Sequence, residues 1–153
     1  MNLSNERFLK VIASLDGIEA VDSEQRGNPR VSLRASVRIA PFDGARLIEA
    51  RCLDALGLDA EPGPAYAVRV QDICAQGVAI QHHRSLLKGS PFVLDLPERA
   101  DAGGTHEVSR MRVLCRVLHS RMTAEHRFSI GAQFVRLWTA PAPTLDVAVA
   151  MSA

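Results

Sequence analysis

Val31, Leu33, Ala35, Val37 and Ile39 alternate with Ser32, Arg34, Ser36 and Arg38. This period of two predicts a strand with one buried face and one polar face. Weaker versions of the pattern recur down the chain. A strand is predicted through Tyr66, Val68 and Val70, then a turn from Asp72 to Gly77, then a strand through Val78 and Ile80. Phe92, Leu94 and Leu96 predict another strand, broken at Pro97, and a Gly-Gly turn near Gly103 leads into a run from Val108 to Leu118. The last strand is predicted from Phe128 to Leu137. About six short strands with few helices predict a mainly all-β domain, a closed barrel or a sandwich.

Two segments follow a helical period instead. Phe8, Val11, Ile12 and Leu15 recur on one face between Ser4 and Ala20, with Ser4 placed as N-cap. A helix this short needs a surface to pack on, because alone it is marginal in water. Between Phe42 and Leu58, the residues Leu47, Ile48, Cys52, Ala55 and Leu56 fit a second helical face, read as an inserted helix ending at Gly57. The stretch from Val21 to Pro29 has neither period and reads as a linker. The organisation expected is therefore an N-terminal helix and linker over 1–25, a barrel over 26–138, and a loosely attached tail over 139–153.

At 153 residues the chain has room for one domain with a sizeable core. A net charge of +1 argues against a general DNA, RNA or membrane-surface binder, which needs a large positive field. Sixteen of the eighteen basic residues are arginine, whose planar fork suits phosphate and flat rings. Cys52, Cys74 and Cys115 are odd in number and lack metal-ligand spacing, so they read as reduced thiols in a cytoplasmic protein. No signal peptide or membrane span is expected.

Two short motifs bear on function. RGNPR places Arg26 and Arg30 four residues apart, and Gly27 and Pro29 direct them to a loop or extended approach to the first strand, not to a helix. DICAQG, from Asp72 to Gly77, places a carboxylate and a glycine around a tight bend between strands. In this order, with strands around them and the segments GVAI and SIGAQFVRL following, the motifs resemble the two-part signature of the PilZ family: RxxxR, then an Asp or Asn, any residue, Ser, two residues and Gly. The resemblance covers roughly Arg26 to Leu137.

The resemblance implies a six-stranded antiparallel barrel that binds cyclic di-GMP and is not an enzyme. Carried over residue by residue, Arg26 and Arg30 would grip phosphate and guanine, since a guanidinium pairs with phosphate, forks onto guanine O6 and N7, and stacks on a purine. Asp72 would accept hydrogen bonds from guanine N1–H and N2–H₂, which adenine cannot offer. Gly77 would permit the backbone of the turn and the ligand's close approach. Cys74 occupies the position of the family's serine and is a weaker hydrogen-bonding group. The insertion after Phe42 also departs from the pattern. The function implied is that of a bacterial receptor or adaptor in motility or biofilm control. Ligand binding would move the N-terminal arginine segment, and an unidentified effector protein would read the change. The alternative is a PilZ-fold interaction module with little nucleotide affinity, favoured by Cys74 and the insertion.

Other chemistries find little support. His82 and His83 are adjacent, and successive strand residues point to opposite faces, so no metal site is expected there. There is no nucleophile elbow or triad context for a hydrolase. Cys74 reads as a packed side chain rather than a nucleophile.

Overall fold

In the computed structural model, the residues described are 1–15, 18–22, 30–42, 62–99, 108–123 and 126–138, with only the backbone described at 18–22, 98–99 and 108–109. The elements in chain order are α1 (Asn5–Ser14), β1 (Ile18–Asp22), β2 (Arg30–Pro41), β3 (Tyr66–Ile73), β4 (Gly77–His82), β5 (Pro91–Arg99), β6 (Val108–Met122) and β7 (Phe128–Leu137). The inserted helix beyond Phe42, Cys52, the turn near Gly103 and the tail beyond Trp138 lie outside the described residues.

The predicted closed barrel is the fold. Strands pair antiparallel in the order β2-β3-β4-β7-β6-β5, and β5 returns to pair with β2. Twelve-residue β2 makes closure possible by serving two neighbours on one edge. Its first residues pair with β1 (Asp22 opposite Arg30), and its last pair with β5 (Pro41 opposite Phe92). Val31, Leu33, Ala35, Val37 and Ile39 all face the interior, as their alternation predicts. They meet Val68, Val70, Ile80, Phe92, Leu94, Val113, Ile130 and Phe134 in one continuous core.

The N-terminal helix is shorter than its pattern suggested. Ser4 caps it by accepting from the Arg7 amide at 3.2 Å. It ends at Ser14 with Leu15 extended, and residues 18–22 form β1 instead of continuing to Ala20. Asp16 and Gly17, a pair that favours turns over helix, stand at this break. Phe8, Val11 and Leu15 lie in the barrel's own core cluster, so α1 packs on the domain. Pro97 does not end β5, which runs on to Arg99 and pairs Pro97 with Arg110 of β6. Pairing with β2 stops at Asp95, so Pro97 lies where a missing amide interrupts no ladder on that side.

A second, smaller cluster forms on the outside of the barrel from Phe42, Val93, Leu114 and Trp138. The Phe42 and Trp138 rings meet edge to face at 5.6 Å, and the Arg136 guanidinium lies 5.3 Å from the Trp138 ring. This cluster ties the end of β2 to the end of β7.

Candidate functional site

Two irregularities in the ladders shape the outer wall of the barrel. Along β3, strict alternation would send Asp72 inward with Val68 and Val70. The register shifts between Val70 and Asp72 against β4, so Asp72 pairs with Ala79 and, on the other side, with Ser32. Gln71 and Asp72 consequently both line the outer surface. Along β6, alternation would send His119 inward with Val113, Cys115 and Val117. A shift between Val117 and His119 against β7 instead turns Leu118, His119 and Arg121 toward the same outer cleft.

That cleft has a volume of about 410 Å³ and crosses β3, β4, β7 and β6. Arg30, Asp72, Cys74 and Gly77 all line it. The structure thus brings four of the five sequence-predicted residues together; Arg26 lies outside the described residues. Of the loop or extended approach that Gly27 and Pro29 pointed to, Arg30 takes the extended form. It is the first residue of β2, held in the ladder opposite Asp22. Its Nε stands 3.8 Å from Asp72 Oδ1, with the Arg30 side chain 63% exposed and that of Asp72 24%. Burial pushes the Asp72 carboxyl above its ordinary value, and the Arg30 charge pulls it partway back. A half-desolvated carboxylate beside a solvated guanidinium has acceptor capacity left for an incoming donor.

The β3–β4 turn is tighter than predicted, because β3 runs to Ile73 and leaves only Cys74, Ala75 and Gln76 between the strands. The Cys74 amide donates to the Gly77 carbonyl at 3.0 Å, closing the turn. The backbone conformation of the turn is not what requires a glycine at Gly77. Among the described residues Gly89 is the glycine with positive φ, whereas a Cβ on Gly77 would run into the Ala132 carbonyl oxygen of β7. Its role is close approach of two strands. The turn also reaches the N-terminal segment, since the Leu3 amide donates to the Ala75 carbonyl at 2.8 Å.

Several cleft residues escaped the sequence reading. Ala79 and Gly131 face each other across β4 and β7 and give the cleft a floor without long side chains. The His119 ring lies over Gly131, so closely that a methyl there would collide with the imidazole. Arg121 and Gln133 also line the cleft, and the Ser129 hydroxyl donates to Gln71 Oε1 at 3.0 Å. Gly131 within an otherwise apolar strand was the available signal, because an interior strand glycine marks a close approach. Among the described lining residues, Asp72 is the one carboxylate, against the guanidiniums of Arg30 and Arg121. The cleft therefore combines anion-attracting groups, one acceptor for a polarised N–H edge, and the flat ring of His119.

His82 and His83 do not point to opposite faces. The strand ends at His82, so the pleat no longer separates them, and their rings lie 4.1 Å apart. Among the described residues no group of three His, Cys, Asp or Glu is close enough to hold a metal ion. No described helix is long and apolar enough to cross a membrane.

Compared with known proteins, the chain matches no family model and no curated protein.

Proposed function

We propose that this chain is a PilZ-type cyclic di-GMP receptor, cytoplasmic and without catalytic activity. The observation that carries the reading is the meeting of Arg30 and Asp72, 42 positions apart in sequence, in one cleft with Cys74 and Gly77. A closed six-stranded barrel is also what the resemblance to that family implies, and 410 Å³ is within the usual range of small-molecule sites. Cyclic di-GMP carries two phosphodiesters and two guanines. Arg30, with Arg26 from the preceding segment, would meet the phosphates and stack on or fork to guanine, while Asp72 would accept from the N1–H and N2–H₂ edge. The exposed His119 ring, which covers Gly131 and lines the cleft, offers a flat face on which a purine would stack.

A route to a partner protein follows from the same turn. Ala75 holds Leu3, just ahead of α1, and β1 pairs with the strand end that carries Arg30. A ligand that binds one arrangement of these segments better than another would shift their equilibrium, and an effector protein would read the change. The second reading, an interaction module of the same fold with weak nucleotide affinity, is favoured by Cys74, whose thiol stands where a hydroxyl would bind better.

Calorimetry with cyclic di-GMP on the unmodified chain and on Arg30→Ala tests the reading. Saturable binding that the substitution removes upholds it. No heat and no amide chemical-shift response at high micromolar nucleotide favours the interaction module, and equal binding by both proteins removes the proposed site.

A further inference from the structure

Next to the cleft, the outer face of β3 and β4 carries a second hollow of about 300 Å³. Gln71 and Ser129 belong to the first cleft, while Arg69 and Gln81, their neighbours along the strands, belong to the second. Arg69 reaches it from β3, Arg127 from the turn before β7, and His82 and His83 from the end of β4. The imidazole of His82 is held between two rings, stacked on Tyr66 at 4.8 Å and 28° on one hand and 4.1 Å from His83 on the other. Two forks and two imidazoles thus converge on one concavity.

No carboxylate lines this hollow among the described residues. Their ion pairs join Lys10 with Glu6, Arg30 with Asp72 and Arg110 with Asp95, and none reaches Arg69, Arg84 or Arg127. Burial lowers the His82 pKa, and the charges of His83 and Arg84 lower it further, as expected where cations crowd without a counter-charge. An anion in the hollow would relieve that repulsion.

We propose that this hollow is an anion site that takes a phosphoryl group, with Arg69 and Arg127 as the charged forks and His82 and His83 as N–H donors. A phosphate monoester suits it better than a carboxylate. It is a dianion with three terminal oxygens, and so engages several donors from different directions at once. The site is separate from Arg30 and Asp72 and does not rest on the cyclic di-GMP reading. A bound phosphoryl anion favours the imidazolium form and so raises the His82 titration midpoint. The groups facing His82 are Tyr66 and Arg69 from β3, the following His83 and Arg84, and Arg127 from across the hollow. None is anionic near neutrality, since a phenol is protonated there and burial raises the Tyr66 pKa further.

The test is a titration of the full chain with inorganic phosphate near pH 7.5, where the dianion predominates, against sodium chloride at matched ionic strength, followed by the imidazole resonances of His82 and His83. The expected result is a saturable phosphate-specific shift and a rise in the His82 titration midpoint, each weakened about tenfold by Arg69→Gln and again by Arg127→Gln. Arg30→Ala leaves it unchanged, which separates this site from the first cleft. Should Arg69→Gln disturb the sheet, Arg127→Gln alone, at an exposed turn position, gives the answer. Phosphate acting no differently from chloride, or binding both variants as tightly as the unmodified chain, overturns the proposal. Adenosine 5′-monophosphate binding more tightly than inorganic phosphate would support it further and assign a nucleotide source, through the ring wall of Tyr66, His82 and His83.

Discussion

Arg30 opens β2 and Asp72 lies next to the last residue of β3, and their side chains meet on the outer wall with Nε and Oδ1 3.8 Å apart. At that separation and with Arg30 largely exposed, the pair is a loose one, so a surface ion pair of this kind adds at most about 1 kcal/mol to stability. Its consequence is for binding. Arg30→Ala should leave the thermal midpoint nearly unchanged and weaken cyclic di-GMP binding by roughly tenfold to a hundredfold, the value of one or two charge-assisted hydrogen bonds. Paired calorimetry and thermal melts check this.

Asp72 should show the opposite sign on stability from a well-paired carboxylate. Its folded-state pKa is raised, chiefly by burial, so the folded chain holds the proton more tightly than the unfolded one. The contribution of this group to stability therefore falls as pH rises from the ordinary carboxylate value through the raised one, and ionised Asp72 is a net cost at neutral pH. Asp72→Asn should be neutral or stabilising in urea unfolding at pH 7 while guanine recognition is lost. A large loss of stability in that variant would contradict this account of the cleft.

Gly77 and Gly131 both stand under crowded space, but substitution should separate them. A methyl on Gly77 meets the Ala132 carbonyl, which is sheet backbone and cannot move without disturbing the β4–β7 ladder. Gly77→Ala should cost roughly 1–3 kcal/mol or more, as overpacking does. The atoms nearest a methyl on Gly131 belong to the His119 ring, an exposed side chain that can turn aside more easily than backbone. Gly131→Ala should therefore unfold at nearly the original urea concentration, while moving the imidazole and changing ligand affinity.

The outer cluster should behave as a clasp between the ends of β2 and β7. Phe42→Ala and Trp138→Ala each remove a buried ring and should cost roughly 3–5 kcal/mol. A double-mutant cycle should return a coupling of about 0.5–1.5 kcal/mol for the edge-to-face contact.

The cysteines should differ in reactivity. Cys115 is fully buried and its thiol pKa is pushed up strongly by burial, so alkylation should reach it only on unfolding. Cys74, half-buried at the cleft, should react in the folded chain and be protected by bound nucleotide. Mass spectrometry after brief iodoacetamide treatment distinguishes the two.

Local pattern was enough to place β2, whose alternation ran unbroken, and β7, where it holds from Phe128 to Phe134, and to assign a barrel or sandwich, because strands of that length with one apolar face must close on one another to bury it. The motifs likewise pointed to Arg30, Asp72, Cys74 and Gly77. What the chain's own periodicity could not convey were the places where the ladders slip. Counting by twos sends Asp72 and His119 into the core. Only pairing with strands distant in sequence turns them outward, since a register shift is a property of two strands and not of one. The same holds for β1, which exists through its pairing with β2, and for Pro97, tolerated because β2 has already left that edge of β5. Composition and period along the chain mark the apolar faces and the candidate binding residues. Which of those candidates meet depends on long-range registry, which belongs to paired strands and not to any one of them.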